Sequence, residues 1–387
     1  MKFARVGLVC EGNAAISETA FSGTAKRMFL SLQNEGHEVI PVDASLSGPA
    51  RAIAAAVSFS TNRAQWRSRF RYGLSTASYR TAAAERSLGS RPVDILLQVG
   101  ASYDPPSAGS VPFAFYADWN MALSKGDSAA SRHGLSPSEY DSIAAHHAEL
   151  YRRAAAVFTI SERLRQSFID LYDLDPNRVH TTYAGPNFDL ELIDRAIATP
   201  RTSTAPTVLF IAKEFRRKGG DLVAAAFDRL LHSVPNARLL FAGAAELPRE
   251  LAPLKNVEHL GLLDKNNPAQ LERLLQAYRN ADVLVLPSRQ DPFPTVIREA
   301  MFFGIPCIAS DIWAMREMIV DGETGFLVPS EDSEALAHRL TLLLTDPGLC
   351  KRLGQAARQR AQTLFTWNSV GQALHNGIQQ AIEDPQP

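Results

Sequence analysis

The sequence is short of cysteine: 387 residues hold three, Cys10, Cys307 and Cys350, far apart. An odd, scattered set excludes a disulfide framework, and no spacing typical of metal ligands is present. Cys10 and Cys307 lie in apolar, strand-like runs, which reads as buried thiols in a reducing compartment. A basic excess is lacking too. Lys and Arg number 40 against 41 Asp and Glu, for a net charge of −1, which disfavours nucleic-acid binders as a class. No window is long and apolar enough to span a membrane. The apolar run in MKFARVGLVCEGN is too short for a secretion signal and reads as a first β-strand. These absences place the chain in the cytoplasm. Internal repeats and low-complexity tracts are also missing.

What is present is the composition of a globular protein with real cores, 45% apolar and 21% charged. The length suggests two domains. Short apolar runs alternate with amphipathic stretches from end to end. Strands are expected at 4–9, 37–42, 94–99, 113–116, 157–160 and 179–183. A second set is expected at 207–211, 238–242, 257–260, 283–286, 306–309 and 326–328. Helical periods lie between most of them, and Ser136-Pro137-Ser138-Glu139 and Asn267-Pro268-Ala269-Gln270 look like capping boxes with proline at the first helical position. Such alternation argues for parallel sheets covered by helices on both faces.

The alternation breaks at 195–206, RAIATPRTSTAP, which reads as an interdomain linker. The expected division is 1–198, 199–364 and a last helix, 365–387, that either crosses back to the first domain or stays on the second. Two doubly wound domains would leave a cleft at the strand C-terminal ends, where ligands bind in such sheets.

Residues 51–91 hold eight arginines and one acid, Glu85. Within them Trp66, Phe70 and Leu74 are spaced by four, as on one helical face. Two readings stand: a basic amphipathic helix at an anionic membrane surface, or a helix packed on the sheet with solvated arginines outside.

The second half opens with TVLFIAKEFRRKGGDLVAAAF. Lys213, Arg216, Arg217 and Lys218 crowd one loop, and Gly219-Gly220 leads into a helix whose N-terminal amides would add positive potential. Together these suit a diphosphate; the plain alternative is a solvated basic loop. Further on, RQDPFPTVIREAMFFG gives an acid, a rigid turn and a helix. Asp291 and Glu299, eight positions apart, can share one cleft beside that helix start and accept hydrogen bonds from sugar hydroxyls. Taken singly, they read as a loop cap and a solvated helix residue.

The runs VLFIAKEFRRKGGDLVAAA, LLFAG, LGLLDKNNPAQLERLLQAYRNADVLVLPSRQDPFPTVIREAMFFGIPCIASD and REMIVDGETGFLVP resemble, in order and spacing, glycosyltransferase family 4. The first half is similar more loosely, through FSGTAKRMFLSLQNEGHEV and FTISERLRQSFIDLYDLDPNRVHTTYAGPN. The resemblance implies the α/β GT-B fold, with two Rossmann-like domains facing across a cleft. It implies a retaining enzyme that moves sugar from a nucleoside-diphosphate sugar to a hydroxyl acceptor (a glycan, lipid-linked or small molecule), with no metal or further cofactor. Carried over, it assigns Lys213 and Lys218 to the donor diphosphate, with Arg217 beside them. It assigns Glu299 to the nucleotide ribose, Asp291 to the donor sugar, and Phe293-Pro294-Thr295 to a segment whose backbone N–H groups meet sugar and phosphate oxygens. Ser22, Gly23 and Thr24 resemble the first-domain loop that approaches the diphosphate.

Two departures stand out. Asp291 occupies a position where the family has the longer glutamate, which shifts the donor or the choice of sugar. PFAFYADWNMALSKG lacks the histidine common after this strand and offers Asp118 instead, either in a polar role toward donor or acceptor or as a turn cap. His133, His146 and His147 follow, the last two in a helical stretch that suggests surface or packing roles. The implied chemistry is same-face transfer assisted by the donor diphosphate, with the lysines and helix start stabilising the leaving charge and domain closure excluding water. A sugar-nucleotide epimerase and a non-catalytic sugar-nucleotide-binding protein remain as other readings.

Overall fold

The computed structural model describes residues 3–15, 23–106, 111–124 and 134–384. The chain forms two units, Met1–Ala184 with Trp367–Pro387, and Gly185–Thr366.

The first unit runs β1 (Arg5–Cys10), α1 (Thr24–Asn34), β2 (Glu38–Asp43), α2 (Gly48–Val57), α3 (Arg63–Tyr72), α4 (Leu74–Leu88), β3 (Ile95–Val99) and β4 (Phe113–Ala117). It continues through α5 (Met121–Ser124), α6 (Pro137–Arg153), β5 (Ala156–Thr159), α7 (Glu162–Tyr172) and β6 (Val179–Thr181). Its sheet has the order β2-β1-β3-β4-β5-β6, all parallel. β3 (ILLQV) and β4 (FAFYA) are buried at every position, as strands covered on both faces must be.

The second unit runs α8 (Leu190–Ala198), β7 (Thr207–Ile211), α9 (Gly220–Ser233), β8 (Arg238–Ala242), β9 (Val257–Gly261), α10 (Pro268–Asn280) and β10 (Val283–Leu286). It ends with α11 (Thr295–Phe302), β11 (Cys307–Ser310), α12 (Met315–Met318), β12 (Gly325–Val328), α13 (Ser333–Thr345) and α14 (Pro347–Leu364). The order β12-β11-β10-β7-β8-β9 sends the chain from β7 outward one way, then back across to the other side through β10. β7 and β10 are therefore neighbours whose following helices diverge, which is the topological switch point of a doubly wound sheet.

The expected boundary at 198/199 is wrong by fourteen residues. Residues 195–198 of the expected linker instead end α8, which turns Ile193 and Ala196 inward, packs on α10 and is tied to α14 by Arg358 and Asp194 at 2.6 Å. The last helix, α15 (Trp367–Glu383), belongs to the first unit. It buries Val370, Leu374 and Ile378. It approaches α1 so closely that a Cβ on Gly371 would lie 3.1 Å from the Ser31 carbonyl.

The Ser136 capping box forms as expected, with reciprocal Ser136 and Glu139 bonds. At α10 Asn267 caps Ala269 and Gln270, but Gln270 accepts instead from Asp264 N–H. The stripe Trp66, Phe70 and Leu74 does not lie on one helix. α3 ends at Gly73, where a Cβ would stand 2.4 Å from the Arg69 carbonyl, and Leu74 starts a new helix. All three cysteines are free and buried, and burial pushes the Cys10 thiol up to about 12 and Cys350 to about 11.

α15 is latched by histidines. Ala4 N–H donates to His37 Nδ1 at 3.2 Å, so the buried His37 is neutral with its proton on Nε2, facing His375 Nδ1 at 2.9 Å. Desolvation first, and His375 second, lower the His37 pKa, with Ala4 and Glu35 opposing. Desolvation also lowers His147 to about 4, and its Nε2 has no hydrogen-bond partner. The unfolded chain thus binds protons that the folded one refuses. Stability is complete above the unfolded histidine value, about 6.5, and is lost as pH falls below it. The melting midpoint should fall between about pH 7.5 and about pH 5.5, with His147 alone costing on the order of 1 kcal/mol at the lower end. His147→Leu should flatten that profile. A midpoint constant across the window, or an unchanged slope in the variant, would contradict the assignment.

Candidate active site

The switch point of the second unit brings two loops together. Residues 212–219 follow β7 and lead into α9; residues 287–294 follow β10 and lead into α11. Gly219 adopts φ 74°, and a Cβ there would lie 2.0 Å from the Pro287 carbonyl. Only glycine permits this approach. Arg289 N–H donates to the Arg217 carbonyl at 2.9 Å, and Arg217 Nη1 donates to the Gln290 carbonyl at 2.8 Å. Arg217 also pairs with Glu214 at 2.6 Å, so it fastens the loops to each other.

Neither helix that starts here has a side-chain cap. Gly219 stands at the cap position of α9 and Pro294 at that of α11, whereas α10, α13 and α14 are closed by Asn267, Asp332 and Asp346. Pro294 is the residue before α11 rather than its first. Two sets of helix-start amides without side-chain caps therefore face one rim, a natural anion site, with the first of α9, Gly220 N–H, donating to the Phe215 carbonyl at 2.8 Å.

The charges around this rim are nearly all paired. Lys218 Nζ is bonded to Asp291 Oδ2, and Asp291 is buried. Arg216 pairs with Glu250 at 2.5 Å. Arg289 meets Asp221 at 2.8 Å and Glu331 at 2.6 Å. Burial would raise the Asp221 carboxyl, but the Arg289 bonds outweigh it and hold it low. Lys213 is exposed and makes no ion pair with a described residue.

Glu299 is not a solvated helix residue: it is 1% exposed. Its Oε1 meets Lys265 Nζ at 2.5 Å, and its Oε2 accepts from Tyr278 Oη at 2.8 Å. Desolvation, followed by the Glu299 carboxylate, raises the Tyr278 pKa well above its usual value, so Tyr278 stays a donor. Lys265 also stands 4.0 Å from the Phe188 ring centroid. Each carboxylate oxygen has a second lone pair, which leaves acceptor capacity for a ligand hydroxyl.

Phe293 is a core residue, edge-on to Phe365 at 5.6 Å, and Pro294 is buried. The loop backbone is braced by Arg298, 3% exposed. Its guanidinium donates to the Gly185 carbonyl at 3.2 Å, the Phe293 carbonyl at 2.9 Å and Thr295 Oγ1 at 3.1 Å, and lies 5.0 Å from the Phe293 ring. At the ends of β10 and β11, the buried Ser288 and Ser310 hydroxyls have no partner. Arg298, Lys265, Tyr278 and the two serines were not anticipated. A charge inside an apolar helix run, IREAMFF, is the one signal that pointed to Arg298.

In the first unit, Gly23 (φ 88°) precedes α1 without a side-chain cap, and Thr24 is half-buried. Both follow β1 at the β1–β3 switch point. Asp118 directly follows β4. Desolvation, partly opposed by its own backbone and by Arg71, pushes its carboxyl up to about 6. His147 packs edge-on to Tyr151 at 6.2 Å. Ser22 and His133 lie outside the described residues. Among the described residues no group of three His, Cys, Asp or Glu side chains is placed to hold a metal ion.

Comparison with known proteins accounts for this arrangement. The family model of glycosyl transferases group 1 matches residues 196–360. The matched segment lies within the second unit. The glycogen synthase of Mycobacterium tuberculosis is 28% identical over 248 residues, 62% of this chain and 58% of that protein. The chain spans little more than half the length of the curated relatives it matches. Sucrose-phosphate synthase from Thermosynechococcus elongatus superposes with a TM-score of 0.72 at 18% identity, over 98% of this chain and 99% of that one. Anabaena HepE, solved with UDP and glucose, does so at 0.62 and 14%, over 97% and 99%. The fold is GT-B, and the group 1 match falls in its second Rossmann-like unit.

Removing the Arg298 brace strands buried carbonyls of the second unit. Arg298→Leu should cost about 2–4 kcal/mol in urea unfolding, and Arg298→Lys should recover part of it. A loss well under about 1 kcal/mol in the leucine variant would show that the brace is not structural.

Proposed function

We propose that the chain transfers a sugar from a nucleoside-diphosphate sugar to a hydroxyl acceptor, with retention and without a metal, in the synthesis of a glycan or glycoconjugate. The observation that carries this reading is the pair of uncapped helix starts beside Lys213, Lys218 and Asp291, in the segment that the group 1 model matches.

In this reading the donor diphosphate lies across the amides that begin α9 and α11. Lys213 is drawn in, and Lys218 turns from Asp291 toward a phosphate oxygen. Asp291 is thereby released to accept hydrogen bonds from sugar hydroxyls. Glu299, held by Tyr278 and Lys265, uses its remaining lone pairs on the ribose. The bond from the sugar's anomeric carbon to the diphosphate breaks, and its electron pair leaves on phosphate oxygen. The acceptor oxygen bonds the same face, and its proton passes to the departing diphosphate. Lysines and amides aimed at that charge lower the barrier, and removing one such donor typically costs about 10²-fold in kcat. In the first unit, Gly23 and Thr24 are assigned to the donor diphosphate, and acceptor recognition is assigned to the rest of that unit. Asp118 serves as a hydrogen-bonding group for a hydroxyl.

The test is a panel of UDP-, GDP- and ADP-sugars, with release of nucleoside diphosphate as the readout. Lys213→Ala removes an exposed, unpaired side chain, so it should leave the melting midpoint unchanged yet lower kcat by about 10²-fold. Glu299→Ala should raise the donor KM by about tenfold or more, equivalent to one lost charged hydrogen bond. Wild-type kinetics in both variants would sink the proposal. Epimerisation of the donor without acceptor, or binding without turnover, would replace it with one of the two competing activities.

A further inference from the structure

The first unit carries an exposed apolar face that the transfer reaction does not use. α2 buries only Ala54 and leaves Ala52, Ile53, Ala56 and Val57 outward. Val57 is 51% exposed, and Phe59, just beyond the helix, is 61% exposed. Phe59 meets the exposed Trp66 edge-on at 5.8 Å. The Trp66 indole N–H donates to the Ala55 carbonyl at 2.9 Å, which fixes that ring against α2 at the surface. Helices of soluble proteins normally turn such residues to the core, and a contiguous exposed patch rimmed by polar groups marks an interaction site.

The rim is basic. Arg51, Arg63, Arg67 and Arg71 are exposed, and none makes an ion pair with a described residue. Arg69 alone is neutralised, by Glu139 at 2.5 Å. Burial would raise the Glu139 carboxyl, but bonds from Ser136 and Arg69 hold it down at about 2. Arg71 lies 5.3 Å from the Tyr72 ring and Arg51 5.9 Å from Phe70, so both cations are carried on aromatic faces.

Charge and chemistry select the occupant. A second copy would set these arginines against each other. Nucleic acid would satisfy the arginines but leave Ile53 and Val57 unused. An anionic lipid surface uses both, taking the apolar side chains into its headgroup boundary and its phosphates to the arginines. We infer that the α2–α3 face docks this protein on an anionic lipid surface. The inference stands apart from the transfer reaction.

The test is co-sedimentation with phosphatidylcholine vesicles, with and without phosphatidylglycerol, at low salt. The wild type should bind the anionic vesicles at least about tenfold more tightly, from roughly fivefold per arginine near the surface. Arg63→Ser/Arg67→Ser/Arg71→Ser should weaken that binding by about 100-fold. Val57→Ser/Phe59→Ser should weaken it by about tenfold, and that loss should persist when salt is raised. All five side chains are exposed, so circular dichroism melts should show both variants folded. Equal binding to neutral vesicles, no binding at low salt, or wild-type binding by either folded variant would overturn the inference. A salt-sensitive dimer in place of vesicle binding would assign the face to a second copy.

Discussion

The site rests on one constraint: β7 and β10 lie side by side in a parallel sheet while the chain leaves them in opposite directions. Two helices must then begin at one rim, and each begins with amides that nothing in its own helix can satisfy. Elsewhere in the unit, Asn267, Asp332 and Asp346 close such ends. At the switch point glycine and proline stand in the cap positions, and the amides stay unsatisfied by side chains. Gly219 is tied to this outcome twice, by its left-handed backbone and by the Pro287 carbonyl 2.0 Å from where its Cβ would be.

Around those amides the charges hold one another in place. Asp291 secures Lys218, Glu214 secures Arg217, and Asp221 and Glu331 secure Arg289. A buried ion pair adds little net stability but fixes geometry, because breaking it strands a charge. In the proposed reading an arriving diphosphate finds side chains already oriented, and Lys218 exchanges one anion for another. The shorter carboxylate at Asp291 is compatible with this exchange, since Lys218 spans the extra distance. Arg298 performs the same service for the backbone, joining the Phe293 carbonyl to Gly185 at the start of the unit.

Much of this was legible in the sequence. The twelve expected strands all form within two residues of their expected ends, and the central ones were plainest because a strand covered on both faces must be apolar throughout. The crowding of Lys213 to Lys218 and the eight-residue interval from Asp291 to Glu299 were also readable, since each is local. Pair partners were not. Lys265 reaches Glu299 from 34 positions away, across loops whose proximity only the sheet order decides. The domain boundary was misplaced because Thr and Pro at 199–206 look like a linker, while the crossing occurs earlier, before amphipathic α8. The Trp66 stripe misled for a different reason. Its spacing assumed one helix, whereas the break at Gly73 puts Leu74 on the next helix and Trp66 stays exposed.

The central claim is that the two helix starts and the lysines beside them form a diphosphate site. The most direct measurement is calorimetric titration of the intact protein with UDP, GDP and ADP, and with the corresponding nucleosides, repeated for Lys213→Ala/Lys218→Ala. At least one diphosphate should bind at least about 100-fold more tightly than its nucleoside, the equivalent of two charge-assisted hydrogen bonds, and the double variant should erase most of that difference. Diphosphates binding no better than nucleosides, or a double variant that keeps the full preference, would contradict the account.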